Sequence, residues 1–192
     1  MNDALRIFLA ILAELGLRYF AVGSVASSIH GIARFTNDVD LLVGIGQQEI
    51  DRMAALARDE FYIDADEARR SIRTGRAFNL VHLASASKID VFPIGQDDFH
   101  RSELERSAEA EWAIPGQEPI RLRVASAEDT VLSKLRWYKM GGMVSDRQWS
   151  DILGVASRSA IDREYLKEWA PRLGVADLLD RLLSEVGRIR PA

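Results

Sequence analysis

The residues from Tyr19 to Val43 constrain the fold of this chain more than any other stretch. Residues 19–22 are apolar and end at Gly23-Ser24, which predicts a buried strand that stops at a turn with a serine N-cap. Residues 24–32 then have the pattern of a short helix, and Asp38–Val43 predicts a second buried strand. The stretch therefore predicts a strand, a tight turn, a helix and a second strand in one unit.

The second strand begins with an Asp-x-Asp pattern. Because side chains alternate along a strand, Asp38 and Asp40 share one face, while Val39 and Leu41 share the other. Two neighbouring carboxylates repel, and burying an uncompensated charge costs on the order of several kcal/mol. A divalent cation removes this repulsion, and open sites with carboxylate oxygens suit Mg2+. The alternative interpretation is two solvated aspartates at the start of a strand.

A third carboxylate lies in a similar pattern further along the chain. Lys88-Ile89-Asp90-Val91-Phe92 predicts a strand that forms a hairpin with residues 77–83. The alternation places Asp90 on the face opposite Ile89 and Val91, which suits a carboxylate that faces a cleft.

The Gly23-Ser24 turn, the helix and the Asp-x-Asp strand together resemble the nucleotidyltransferase superfamily typified by DNA polymerase beta. Within it, residues 31–38 (Gly-Ile-Ala-Arg-Phe-Thr-Asn-Asp) look most like small bacterial enzymes related to the AbiEii abortive-infection toxin. The resemblance implies an α+β fold, in which a mixed sheet is flanked by helices and followed by a C-terminal helical subdomain.

The resemblance also implies a set of functional residues. Asp38, Asp40 and Asp90 would be catalytic and would bind two Mg2+ ions, with Mn2+ as an alternative. Gly23 and Ser24 would bind the phosphates of a nucleoside triphosphate such as ATP, because a glycine and a helix N-terminus let backbone N–H groups approach an anion.

The implied activity is transfer of a nucleoside monophosphate to an acceptor hydroxyl, and the implied setting is a toxin–antitoxin system with an antitoxin protein as partner. A tRNA 3′ end, a protein and a small molecule such as an aminoglycoside all stay open as acceptors. The alternative function is a catalytically inactive module for nucleotide binding or toxin–antitoxin interaction. The presence of all three carboxylates argues against it, because they would repel each other without benefit.

The composition changes after Ala125, which predicts a catalytic core over residues 1–125 and a helical subdomain over residues 126–192. Ser126 and Asp129 resemble a capping pair that opens the first of these helices. By resemblance, the C-terminal helices line the far side of the cleft, and Lys134, Arg147 and Asp151 bind nucleotide. The competing account for the last two is a surface ion pair, since they are four residues apart on a helix.

Four other segments give weaker signals. Residues 3–15 and 99–110 have helical patterns, and residues 112–114 and 120–124 predict a hairpin across Pro115-Gly116. Residues 66–76 carry four arginines, which fit either a solvated helix face or an edge that meets a phosphate or the acceptor.

Composition excludes several classes of protein. The chain has 192 residues and no cysteine, so disulfides, thiolate metal sites and cysteine nucleophiles are excluded. It lacks a P-loop and a Gly-x-Ser-x-Gly motif. The net charge of −4 disfavours nonspecific binding to long nucleic acids. No stretch reads as a signal peptide or a membrane span, so we expect a cytoplasmic protein.

Overall fold

The computed structural model describes residues 2–33, 36, 38–114 and 116–189. They fall into two compact units, one within the ranges Met1–Val25 and Phe35–Val124, the other within Ala26–Arg34 and Ala125–Ala192. Among these residues, no helix combines the length and the apolar character that a membrane crossing requires.

The first unit is built on a seven-stranded mixed sheet. Its strands, in chain order, are β1 (Tyr19–Ala21), β2 (Asp38–Val43), β3 (Phe61–Tyr62), β4 (Phe78–His82), β5 (Lys88–Pro93), β6 (Ala108–Trp112) and β7 (Ile120–Val124). Their spatial order is β3-β4-β5-β2-β1-β7-β6. β2 and β5 are parallel, as are β1 and β7, and the other neighbours are antiparallel. The predicted hairpin of β4 and β5 is confirmed.

Five helices belong wholly or partly to this unit. They are α1 (Asn2–Glu14), α2 (Gly23–His30), α3 (Gln47–Ala57), α4 (Ala65–Arg73) and α5 (Asp98–Arg106). Helix α1 forms where the apolar period predicts it, and it buries Leu5, Phe8 and Leu12 fully. The Phe8 ring meets Phe61 of β3 edge-on, with ring centroids 6.0 Å apart. Helix α2 begins in the first unit and continues into the second.

The helix predicted over residues 99–110 is too long. Helix α5 ends at Arg106, Ser107 is extended (φ −61°, ψ 139°), and Ala108–Trp112 forms β6. Arg123 of β7 donates hydrogen bonds to the carbonyl and the hydroxyl of Ser107. Pairing with β7 thus overrides the helix propensity of an Ala-Glu repeat. The second hairpin forms, but its first strand is β6 and not residues 112–114, and Pro115 lies outside the described residues.

The second unit is helical. It contains the later part of α2 together with α6 (Ala127–Met140), α7 (Asp146–Arg158), α8 (Arg163–Arg172) and α9 (Ala176–Ile189). A Cβ atom added to Gly31 would lie 2.9 Å from the backbone nitrogen of Val155, so the end of α2 packs directly against the α7 backbone. Only glycine permits that approach.

The start of α6 confirms the predicted cap. The Ser126 hydroxyl accepts a hydrogen bond from the Asp129 backbone N–H at 3.1 Å and donates one to the Asp129 carboxylate at 2.7 Å. Asp129 is fully buried, and the Tyr165 hydroxyl of α8 donates to it at 2.6 Å. These bonds compensate the buried charge and join α6 to α8. The result is the predicted α+β architecture, with a mixed sheet, flanking helices and a helical C-terminal part.

Candidate functional site

Parallel pairing of β2 with β5 brings the predicted carboxylates onto one surface of the first unit. In this register Asp40 lies beside Asp90, and Asp38 lies beside Lys88. Paired residues on neighbouring strands share a face and are about 4.8 Å apart. The intervening residues Val39, Ile89 and Val91 are buried on the other side. We call Asp38, Asp40, Lys88 and Asp90 the acidic face.

The acidic face is accessible. Asp38 is exposed, whereas Asp40 and Asp90 are half-buried, and the Asp90 side chain keeps 18% of its area exposed. The face therefore offers oxygen ligands that a solute can reach.

Gly23 fixes the position of one of these carboxylates. It has φ +58°, and an added Cβ atom would lie 2.9 Å from Asp40 Cγ and nearer still to Oδ2. The preceding Val22 N–H donates to the Asp40 carbonyl at 3.0 Å. Helix α2 begins at Gly23, so Ser24 is its second residue and not the predicted N-cap. The first turn of α2 thus lies against the side chain of Asp40, because a residue without Cβ leaves room for it.

Lys88 is a member of the acidic face that the sequence analysis did not identify. Its Nζ lies 2.9 Å from Asp90 Oδ2, and the hydrogen bond to Asp90 raises the pKa of Lys88, with further contributions from the charges of Asp38 and Asp40. The sequence alone places Lys88 on the same face as Asp90, since residues two apart on a strand share a face.

The acidic face suits a divalent metal in its donor chemistry but not in its present side-chain arrangement. Carboxylate oxygens on one accessible surface are the ligands that Mg2+ prefers. Within the described ranges, however, no three acidic or histidine side chains are gathered at metal-binding spacing. Asp90 contacts Lys88, and carboxylates without a cation between them repel. Metal binding by Asp90 would require this carboxylate to exchange its contact with Lys88 for one with the ion.

The second unit holds the other predicted nucleotide-binding residues. Lys134 Nζ on α6 donates to Asp151 Oδ2 on α7 at 3.0 Å, and each side chain is 14% exposed. The partner of Asp151 in this ion pair thus lies on another helix and is not Arg147, one turn away on α7.

A cavity of about 250 Å³ in this unit brings two of these residues together. It is lined by Ser27, Ile32, Arg147, Ser150 and Asp151. Ser27, Ile32 and Ser150 could not be predicted as members from the sequence, since their proximity depends on how α2 packs against α7. A cavity with a guanidinium, a carboxylate and hydroxyl groups can bind a small polar molecule.

The arginine-rich segment, residues 66–76, lies largely in α4 and fits the interpretation as a solvated helix face. Arg69 pairs with Asp51 and Asp66, and Arg70 pairs with Glu67. Exposed pairs of this kind contribute little to stability. The segment thus provides surface charge to the first unit.

Comparison with solved structures gives the fold. The chain superposes on an antigenic nucleotidyltransferase-like protein from Paracoccidioides brasiliensis with a TM-score of 0.56 and 16% identity, over 98% of this chain and 88% of that one. It matches ANT(2")-Ia in complex with adenylyl-2"-tobramycin with a TM-score of 0.54 and 13% identity, over 90% and 97% of the two chains. For the lincosamide antibiotic adenylyltransferase LnuA, bound to lincomycin, the values are 0.50 and 15%, over 83% and 98%.

At these identities the likeness shows a shared fold, and the fold is that of nucleotidyltransferases. No family model matches the sequence, and no curated protein sequence matches it either. The resemblance to AbiEii-related enzymes stays a prediction, and three of the residues that carry it, Arg34, Phe35 and Asn37, lie outside the described residues.

Proposed function

We propose that this protein is a Mg2+-dependent nucleotidyltransferase that moves a nucleoside monophosphate from a nucleoside triphosphate to an acceptor hydroxyl. The observation that carries the proposal is the register of β2 with β5, which places Asp38, Asp40 and Asp90 on one accessible face. The fold shared with nucleotidyltransferases supports it independently.

In the proposed reaction, the acceptor oxygen attacks the α-phosphorus, and the bond from that phosphorus to the bridging oxygen of the leaving pyrophosphate breaks. Asp38, Asp40 and Asp90 would hold two metal ions, which supply charge neutralisation and acidify the acceptor hydroxyl when bound. Asp90, which the register sets beside Asp40, would orient the acceptor hydroxyl and accept its proton. The Gly23-Ser24 turn at the start of α2 would present backbone N–H groups to the phosphates.

Lys134, Arg147 and Asp151 are proposed to contribute to nucleotide binding, as residues of the C-terminal subdomain 126–192. The supporting observations are the accessible cavity around Arg147 and Asp151 and the ammonium of Lys134 that neutralises Asp151. The Arg147 guanidinium lines this cavity, and a guanidinium binds phosphate through charge-assisted hydrogen bonds.

The acceptor that we place first is a hydroxyl group of a small molecule, and the donor is ATP. Two of the structural neighbours are described as complexes with an antibiotic or an adenylylated antibiotic, lincomycin and adenylyl-2"-tobramycin. Transfer to a tRNA 3′ end or a protein, in the setting of a toxin controlled by an antitoxin, is the second acceptor class.

A second function is favoured by two observations. The ion pair between Lys88 and Asp90 and the absence of a metal-spaced group among the described residues would fit an inactive nucleotide-binding or toxin–antitoxin interaction module. The two functions differ in whether nucleotide is consumed.

The test uses the full chain, ATP labelled at the α-phosphate, Mg2+ and a panel of aminoglycosides, lincosamides, tRNA and cell protein. We expect label in one acceptor class and its loss by orders of magnitude in Asp40→Asn. The metal-free melting temperature of Asp40→Asn should hold or rise, because a repelling charge is removed. Asp59→Asn, a change at an exposed carboxylate paired with Arg58, is the control and should transfer normally. Undiminished transfer by Asp40→Asn would refute the assignment.

A further inference from the structure

The acidic face contains one cation of its own. Lys88 is the partner of Asp38 in the β2–β5 register, and its stem follows the strand so that Nζ reaches Asp90 Oδ2 at 2.9 Å. The Lys88 side chain is 40% exposed and that of Asp90 is 18% exposed, so the pair lies at the accessible surface of the sheet. The Lys88 ammonium therefore lies on the same face as the three carboxylates that are proposed as metal ligands.

The charges on this face explain why a lysine is tolerated there. Three carboxylates so close together repel, and a single ammonium removes part of that repulsion when no metal is bound. Asp90 Oδ2 cannot accept a hydrogen bond from the Lys88 ammonium and coordinate a metal ion with the same lone pair. In the present arrangement this contact is made, and the described carboxylates are not gathered at metal-binding spacing.

We propose that Lys88 is a resident counter-ion of the acidic face, which holds Asp90 while the site is empty and must swing away before Asp90 can bind a divalent metal. The inference rests on the proposed function, because it assumes that Asp38, Asp40 and Asp90 are metal ligands. It assigns to Lys88 a positioning role that lowers the affinity of the face for metal. The contact that changes in the exchange is the one between Lys88 and Asp90, while Asp40 lies against Gly23.

The test measures metal binding without nucleotide or activity. Mn2+ is titrated into the full chain, and free Mn2+ is measured by electron paramagnetic resonance. In Lys88→Met, which keeps the stem and removes the charge, the Mn2+ dissociation constant should fall on the order of tenfold, because a positive charge no longer repels the ion. Lys88→Arg keeps the charge and should bind Mn2+ as weakly as the unaltered protein.

The matched control is Lys167→Met, which removes an exposed lysine that pairs with Glu164 at 3.3 Å in the second unit. It should leave Mn2+ binding unchanged. Thermal melts of the same proteins give a second readout. Without metal, Lys88→Met should melt at a lower temperature than the unaltered protein. Saturating Mn2+ should raise the melting temperature of Lys88→Met by more than it raises that of the unaltered protein.

The outcomes separate this inference from the function on which it rests. Tighter Mn2+ binding in Lys88→Met alone supports the counter-ion role. Equal or weaker binding than in the unaltered protein overturns that role and leaves the metal site standing. If none of the four proteins binds Mn2+, the metal assignment of the proposed function is wrong, and the role of Lys88 is overturned with it.

Discussion

Substitution of Gly23 by alanine tests the contact that positions Asp40. The change has two costs, because alanine at φ +58° is strained and because its Cβ would collide with the Asp40 carboxylate. The strain of a left-handed conformation is about 1–2 kcal/mol. Overpacking against a neighbouring group typically adds about 1–3 kcal/mol. We therefore expect Gly23→Ala to lower the free energy of unfolding by about 2–5 kcal/mol.

Gly75 supplies a matched control within the same unit. It has φ +64°, and an added Cβ atom would meet nothing within 4 Å. Gly75→Ala should therefore show the strain alone, about 1–2 kcal/mol. For a chain of this size, each kcal/mol corresponds to about 2–4 °C in melting temperature.

Urea denaturation and thermal melts of both variants measure the difference. In an Asp40→Ala background most of the collision is removed, so the cost of Gly23→Ala should approach that of Gly75→Ala. This double-mutant cycle isolates the contact between the two residues. Equal destabilisation by Gly23→Ala and Gly75→Ala in the unaltered protein would refute the close approach of Gly23 to Asp40.

Two further predictions concern the second unit. Lys134→Gln should weaken Mg2+-nucleotide binding by about 1–3 kcal/mol, because a charge-assisted bond is lost. Equal dissociation constants by calorimetry would show that Lys134 does not bind nucleotide. The Trp149 indole N–H donates to Glu185 at 2.9 Å, and this bond, followed by that from Arg181, lowers the pKa of Glu185. A lowered carboxyl pKa contributes stability above the unfolded pKa that is lost as pH falls through the folded pKa. Trp149→Phe should thus reduce the urea midpoint more at neutral pH than in acid, where the Glu185 carboxyl is protonated, and equal losses in both would contradict this.

The local parts of the fold were predictable, because they depend on neighbouring residues. The second strand forms over Asp38–Val43 as predicted, since its alternation and apolar run fit a buried strand in any context. The cap of Ser126 on Asp129 was equally local. In contrast, residues 108–110 form a strand because they pair with β7. The Ala-Glu repeat favours a helix, and this pairing cannot be read from the repeat itself.

The candidate site was predictable in its members but not in its arrangement. Alternation shows that Asp38 and Asp40 share a face, and separately that Lys88 and Asp90 do. It does not show that the two strands are parallel, or that Asp40 is beside Asp90. Those facts depend on the pairing of strands distant in sequence. The ammonium of Lys88 could have been placed on the same face as Asp90 from the sequence, because the two residues are alternate positions of one strand.

The strand order has a consequence for how the chain folds. β2 and β5 are parallel neighbours, although β3 and β4 lie between them in the sequence, and β1 pairs with β7 from the far end of the unit. Parallel pairing needs a long crossover, and pairing between distant segments slows folding because the loop entropy is lost before the contacts form. During synthesis, Asp40 and Asp90 cannot meet until β5 has emerged, and β1 lacks one neighbour until β7 has followed. The acidic face therefore cannot form before β5 has emerged, and a nascent chain that stops before β7 leaves β1 as an open edge that is prone to aggregation.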